Sequence, residues 1–306
     1  MKRVLVSGAT GFIGRLTLPM LLEKGYEVHG ISCHRDIPEA RGIRWHRADL
    51  LDSDQVSELI PRIAPTHLLH LAWNATPGVY LSTPDNVAWL RSGLQLMQLF
   101  EQSGGERFVG AGTCFEYDGD YGYCREHVTP IKPSSLYGSC KHALQLTLSS
   151  LSQQASFTSA WGRIFFLYGP HEYQSRLVPS VIRALLRGEQ AQCSSGSQIR
   201  DFLHVQDVAG AFVALLESDA TGPINIASGK PISLADLIRT IGRQLERPDL
   251  IALGALPDRA NEPRVLLGDV SRLTSEIGFV PEYDLETGIQ DAISWWRHPP
   301  SHQTPS

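Results

Sequence analysis

Nowhere in the 306 residues does an apolar run approach the ~20 needed to cross a bilayer. A membrane-spanning helix is therefore set aside, and no membrane partner is expected. Dense runs of Lys or Arg are missing as well. Basic residues number 27 against 32 acidic ones, for a formal net charge of −5, which offers no electrostatic footprint for nucleic acid. Cysteine is scarce: five residues, an odd number, with no C-x-x-C pair. That pattern sets aside a disulfide framework and fits free thiols in a reducing cytoplasm, so a cytoplasmic location is expected. Metal-ligand spacing is absent too, because the histidines of "HLLH" (His67 to His70) would point to opposite faces of a strand. No internal repeat is found. The opening "MKRVLVSGATGFIG" faintly imitates a leader peptide, but glycines interrupt it and Arg15 follows, so it reads as a buried strand and turn.

What the sequence does have is regular alternation. "RVLVSG" reads as a strand, "FIGRLTLPMLLEKG" as a helix closed by glycine, and "YEVHGIS" and "GIRWHRAD" as two further strands. Then come a helix over "DSDQVSELIPRI", a buried strand "THLLHLA" and a long helix "PDNVAWLRSGLQLMQLFEQSGG", with Pro near its start and glycines at its end. "RFVGAG", the helix "SSLYGSCKHALQLTLSSLSQQ" and the strand "FTSAWGRIFFLYGP" follow. Near-continuous apolar strands alternating with helices predict an α/β fold, a doubly wound parallel sheet (Rossmann-like) covered on both faces. After Pro170 the spacing loosens, and a smaller, partly interleaved C-terminal substrate lobe is expected. The division expected is residues 1–165 for dinucleotide binding and 166–298 for substrate, with 199–228 partly returning to the first part and 299–306 as a frayed, Pro-rich tail.

Between the first strand and the first helix stands "SGATGFIG", with Gly8, Gly11 and Gly14. A dinucleotide needs a tight turn, close backbone approach to its pyrophosphate, and the free N–H groups of a helix start. Thr10, Phe12 and Ile13 complete that loop. An acid ending the second strand would favour NAD(H) by binding the adenosine ribose. Ser32 aligns there instead, with His34 and Arg35 in reach, and a guanidinium suits a 2′-phosphate. Asp36 falls one turn too late. NADP(H) is therefore favoured, with NAD(H) as the alternative.

The spacing of those glycines resembles the extended short-chain dehydrogenase/reductase superfamily, and the resemblance runs in order along nearly the whole chain. "GAGTCFEYDG" resembles its "S/T-x-x-x-Y-G" signature through Thr113 and Tyr117, with Asp118 in place of Gly. "KPSSLYGSCK" carries Tyr137 and Lys141, four apart and so on one helix face about 5–6 Å from each other. "GRIFFLYGP", "IRDFLHVQDVA" and "NIASG" resemble the family's "R-x-x-N-x-Y-G-P", "R-D-F-x-H-V-x-D-V-A" and "N-x-x-x-G". The resemblance implies a catalytic set of Thr113, Tyr137 and Lys141. It also implies cofactor contacts from Asp49 and Leu50 after the third strand, from Leu71 and Ala72 after the fourth, and from Asn86 in the long helix. A phenol with an ordinary pKa of about 10 exchanges protons sluggishly near neutrality. A neighbouring ammonium and the nicotinamide's charge are expected to lower it by ~3 units, about 4 kcal/mol of differential stabilisation.

Departures from the family pattern carry the finer expectation. Cys114 and Phe115 stand where the nucleotide-sugar 4,6-dehydratases place an Asp and a Glu, so an eliminating acid–base pair is missing. The epimerising cysteine of the GDP-fucose synthase type is Phe115 here, and Cys114 and Cys140 are read as small buried hydrophobes. Phe166 replaces the asparagine of "R-x-x-N". Thr113, Cys114, Phe115 and Phe166 are expected to line the sugar site, where the two phenylalanines would suit the methyl group of a 6-deoxy sugar. Arg200 and Arg259 are expected to hold a diphosphate, since guanidinium forks match phosphate oxygens. His171 and Arg176 border that site. These residues imply NADPH-dependent reduction of a nucleotide-linked 4-keto-6-deoxyhexose by a homodimer. The alternatives are an NAD-dependent nucleotide-sugar 4-epimerase, a reductase of a non-nucleotide small carbonyl compound, and an inactive dinucleotide-sensing binding protein.

Overall fold

The computed structural model describes residues 2–34, 41–259 and 262–298. In chain order its strands are β1 (Arg3–Ser7), β2 (Glu27–Ser32), β3 (Ile43–Arg47), β4 (His67–His70), β5 (Arg107–Thr113), β6 (Tyr123–Cys124) and β7 (Thr158–Ile164). After them come β8 (Phe166–Tyr168), β9 (Ala191–Gln192), β10 (Ile199–His204), β11 (Gly222–Ile226), β12 (Pro231–Ser233), β13 (Ile251–Ala252) and β14 (Val265–Gly268). The helices are α1 (Gly14–Glu23), α2 (Ser53–Ile63), α3 (Asp85–Gln102), α4 (Leu136–Gln154), α5 (Leu177–Leu186), α6 (Val205–Glu217), α7 (Leu234–Gln244), α8 (Ser271–Ser275) and α9 (Leu285–Arg297).

Seven strands form one sheet in the order β3-β2-β1-β4-β5-β7-β11, with every neighbouring pair parallel. This is the doubly wound architecture that the strand–helix alternation predicts. The apolar strands bury both faces. Val4, Val6, Leu69, Val109 and Ala160 pack with α1 and α6 on one side. Leu5, Leu68, Phe108 and Trp161 pack with α2, α3 and α4 on the other. Strand order reverses between β1 and β4, so the crevice beyond their carboxyl ends is where a ligand fits this fold.

The segment read as one strand through "FTSAWGRIFFLYGP" is in fact two. β7 ends at Ile164 in the large sheet, and β8 begins at Phe166 in a second sheet, pairing in parallel with β10. Phe165 sits at the switch, 5% exposed, in a small apolar cluster with Tyr117, Cys124 and Leu266. β10 also pairs with β12 and β14, and α5, α7 and α9 share a separate core around Ile182, Ile238 and Ile289. The chain returns to the large sheet through α6 and β11. The Pro-rich tail expected at 299–306 lies outside the described residues.

Candidate active site

At the carboxyl end of β1 the chain turns at Gly8, whose φ is +70°. A Cβ there would stand 2.8 Å from the backbone nitrogen of Ala72, and a Cβ on Gly14 would collide with the carbonyl oxygen of Gly8. Only glycine permits this approach, which brings the loop against Leu71 and Ala72 after β4. Helix α1 starts behind Ile13 with no side-chain cap; the Arg15 and Leu16 N–H groups donate to Gly11 O and Ile13 O at 3.3 and 3.0 Å, so an anion would meet the helix dipole and the N–H groups at Phe12 to Gly14. The cradle thus fits the pyrophosphate of a dinucleotide. Arg15 stiffens it, donating from Nη2 to Thr10 O at 2.9 Å and from Nε to Gly11 O at 3.0 Å. The same guanidinium meets Nδ1 of His171, in the loop after β8, at 2.7 Å.

Ser32 ends β2, 3% exposed, and its Oγ accepts from the backbone N–H of His34 at 3.2 Å. Its carbonyl accepts from Ala48 N at 3.1 Å, which sets Asp49 and Leu50 beside the same strand ends. The Asp49 carboxylate accepts from Leu51 N at 2.9 Å. Arg35 and Asp36 lie outside the described residues.

β5 delivers Thr113, and a 3-10 turn over Cys114–Glu116 follows it directly. Glu116 makes that turn: its Oε1 accepts from Thr113 N at 2.9 Å while Thr113 Oγ1 accepts from Phe115 N at 3.3 Å, a reciprocal capping box. Glu116 is wholly buried and also accepts from Trp161 Nε1 and Arg163 Nε at 2.9 and 2.8 Å. Ser135 caps α4 through Gly138 N at 3.1 Å. A Cβ on Gly138 would strike the carbonyl oxygen of Phe115, so glycine within "YGSCK" is what lets α4 dock on the turn. Tyr137 and Lys141 are thereby presented toward Thr113, whose side chain lies close enough to act on the Tyr137 phenol. Lys141 is 2% exposed and donates from Nζ to Ala111 O at 2.8 Å.

The expected depression of the phenol relies in part on the nicotinamide's charge, and the protein's own groups act in the other direction. Burial, with Tyr80 and Glu116 nearby, raises Tyr137 above the ordinary tyrosine value, outweighing the influence of Thr113. Burial also brings Lys141 down to about 7. His70, fully buried at the end of β4 with Nδ1 2.7 Å from Ser7 Oγ, is pushed down to about 3 by burial and by the Lys141 charge.

Asn86, expected among the cofactor contacts, is buried and hydrogen-bonded within its own segment. Its Oδ1 accepts from Trp73 Nε1, and its Nδ2 donates to the carbonyls of Tyr80 and Thr83, all at 2.8 Å. Its amide is engaged locally in holding Trp73, whose ring lies 4.1 Å from Lys141 Nζ. Trp73 and Tyr80 both stand edge-on to Tyr137, at 6.2 and 5.1 Å between ring centroids. Arg176 lies over Tyr80 at 5.1 Å and donates to Ala75 O at 3.3 Å, drawing the loop after β8 onto this segment. Sequence reading missed Glu116, Trp73 and Tyr80. Only Glu116 carried a local signal, the T-x-x-E spacing of a capping box.

On the far side, Phe115 meets Phe166 at 6.3 Å, Phe166 meets Phe202 at 5.6 Å, and the Arg200 guanidinium sits 5.3 Å over Phe166. Arg200 is 5% exposed in its side chain and Arg259 is 84% exposed, yet each faces one oxygen of Glu262 at 3.5 Å. The two arginines are thus brought together around one carboxylate. Cys114, expected to line the sugar site, is 2% exposed among Tyr117, Cys124 and Phe165, and burial pushes its thiol well up. It is packing. Tyr117 is likewise internal, donating to Asn225 Oδ1 at 2.7 Å.

Comparison with known proteins agrees with this geometry. Residues 4–227 match the NAD dependent epimerase/dehydratase family. A UDP-glucose 4-epimerase of Rhizobium leguminosarum bv. trifolii is 26% identical over 334 residues, covering 99% of each chain. A CDP-abequose synthase of Salmonella muenchen is 24% identical over 302 residues, covering 96% of this chain and 97% of that protein. Among solved structures, MoeE5 in complex with UDP-glucose and NAD superposes with a TM-score of 0.81 at 30% identity, covering 96% of this chain and 98% of the other.

Proposed function

The chain belongs to the NAD dependent epimerase/dehydratase family, and within it we propose an NADPH-dependent reductase of a nucleotide-linked 4-keto-6-deoxyhexose. The observation that carries this reading is the placement of Tyr137 and Lys141 on one face of α4, with Lys141 Nζ 6.0 Å from the Tyr137 ring centroid and Thr113 at the end of β5 beside them. A phenol whose proton burial helps to retain can serve as a proton donor at neutral pH. Reduction of a ketone asks for a donor, whereas oxidation of an alcohol asks for a base. When bound, the dinucleotide supplies hydride to the carbonyl carbon. Thr113 Oγ1 orients the carbonyl oxygen, and Tyr137 Oη transfers its proton to that oxygen as the C=O π bond opens to an alcohol. Lys141 Nζ stabilises the phenolate left behind, and solvent restores its proton. Gly8, Thr10, Gly11, Phe12, Ile13 and Gly14 hold the pyrophosphate, while Ser32 in place of a carboxylate favours NADPH.

The sugar end is read from the wall of Phe115, Phe166 and Phe202, which suits a methyl group, and from Arg200 at its edge, which suits a diphosphate. Dehydration lacks its acid and base. The exposed apolar residues Val87 on α3 and Leu146 on α4 support pairing of these helices in a cytoplasmic homodimer. A second reading, a nucleotide-sugar 4-epimerase using NAD, is favoured by the relative of that name. Two measurements separate them: loss of NADPH absorbance with CDP-, GDP-, UDP- and dTDP-linked 4-keto-6-deoxyhexoses, and analysis of dinucleotide retained through purification. Stoichiometric NADPH consumption with one ketosugar is the result expected. Retained NAD(H) with sugar interconversion and no net NADPH use would overturn the reductase in favour of the epimerase.

A further inference from the structure

Lys141 carries a charge that its surroundings do little to support. Of its three ammonium donors, one goes to Ala111 O at 2.8 Å. The nearest carboxylate, Glu116, already accepts from Arg163, Trp161 and Thr113 N. Burial holds His70 at the end of β4 down to about 3 and raises Tyr137 on the same helix as the lysine, so neither favours a negative charge beside the ammonium. Trp161 on β7 presents its ring only at 5.9 Å. What faces the ammonium closely is Trp73, 4.1 Å to the ring centroid, well inside the ~6 Å reach of a cation–π contact. The indole is pinned: Nε1 donates to Asn86 Oδ1 at 2.8 Å, Trp89 stacks on it at 6.2 Å, and Tyr137 stands edge-on.

We propose that Trp73 is a positioning residue that holds the Lys141 ammonium charged and aimed beside Tyr137, and so sets the pH range over which the site grips a dinucleotide. The inference rests on the reading of Tyr137 and Lys141 given above. A π face attracts the ammonium and not the amine, so it selectively favours the protonated lysine. Burial works in the opposite direction and brings Lys141 to about 7. Removing the face lets burial prevail, and the lysine then loses its proton at lower pH. Asn86 and Trp89 act at one remove, by fixing the indole.

The test is calorimetric titration of the full-length protein with NADPH and with NADH between about pH 5.5 and 9, across the lowered Lys141 midpoint of about 7. Affinity in the wild type is expected to fall as pH rises through that midpoint, and Lys141→Met is expected to abolish the dependence. Trp73→Phe, which keeps a π face, should keep the midpoint. Trp73→Leu should lower it by about one pH unit and weaken binding at pH 7 by about fivefold, as the protonated fraction falls from about one half to about one tenth. Trp73→Met, of similar length without a π face, provides the same reading should the leucine variant not fold. A wild-type midpoint in the leucine or methionine variant would overturn the proposal, as would an equal shift in Trp73→Phe. Absence of any dinucleotide binding by the wild type would overturn the reading of the site itself, and this inference with it.

Discussion

Replacing Glu116 by glutamine exchanges one carboxylate oxygen for an NH2 group at the centre of the molecule and should cost a large part of its stability. The carboxylate is fully buried and the Arg163 side chain is 2% exposed, with Nε 2.8 Å from Oε2. The amide oxygen introduced by Glu116→Gln could still accept from Thr113 N and Trp161 Nε1. The new NH2 would then confront the Arg163 N–H, donor against donor, and leave the guanidinium without its carboxylate, beside the Tyr117 ring at 4.5 Å. Stranding one member of a buried ion pair costs about 3–5 kcal/mol. Against a total of about 5–15 kcal/mol, Glu116→Gln should move the urea midpoint far down with its slope unchanged. The double variant Glu116→Gln/Arg163→Met removes the stranded charge as well, so it should lose less than the single one. A loss below about 1 kcal/mol in the single variant, or a double variant no more stable than the single, would refute the argument.

Tyr137→Phe should lower kcat by several powers of ten while leaving NADPH affinity nearly intact, measured by single-turnover absorbance and calorimetry; near-normal turnover would end the proton-donor role. Ser32→Asp places a carboxylate beside the 2′-phosphate and should cut kcat/KM for NADPH about ten- to hundredfold relative to NADH. His70 predicts an acid-labile fold. Its native value near 3 lies below the ordinary 6.5, so the unfolded chain binds a proton that the native one refuses. Stability should hold above about pH 6.5 and fall toward pH 3 by about 1.4 kcal/mol per unit from this residue. Urea unfolding of His70→Gln should show a correspondingly shallower pH dependence, and an identical slope would refute it.

Much of this was legible because it is local. The glycine loop and the pairing of Tyr137 with Lys141 both depend on residues a few positions apart. The sequence also carried Glu116 in its T-x-x-E spacing, although the motif reads equally as an ordinary turn until the buried partners Trp161 and Arg163 are known. Trp73 and Tyr80 had no such signal. They lie between β4 and α3 at no helical or strand period, and their importance comes from a lysine and a tyrosine on α4. Asn86 was placed by its position at the start of a helix, but the indole it holds comes from the preceding loop. The Tyr137 phenol was expected low from its lysine neighbour and the nicotinamide's charge; the burial that opposes them is not visible in sequence.

The aromatic wall shows where such reading stops and why. "RIFFLYGP" and "IRDFLH" each announce a strand, and period-two alternation puts Phe166 with Tyr168 on one face, and Arg200 with Phe202 and His204 on another. Neither segment says that the other is its neighbour. The register does: Phe202 opposes Phe166 and His204 opposes Tyr168 in the parallel β8–β10 pair. Once that pairing exists, the two alternations merge into one surface, with phenylalanines side by side and Arg200 two residues back along the same face. The wall therefore follows from a single long-range fact that depends on Phe165, where the chain leaves the large sheet at the end of β7. An apolar residue there reads in sequence as the middle of a continuous strand, because a side chain buried in a switch and one buried in a strand have the same composition. The chemistry of the site is written in short motifs, but the shape that selects a substrate comes from how two sheets share one chain.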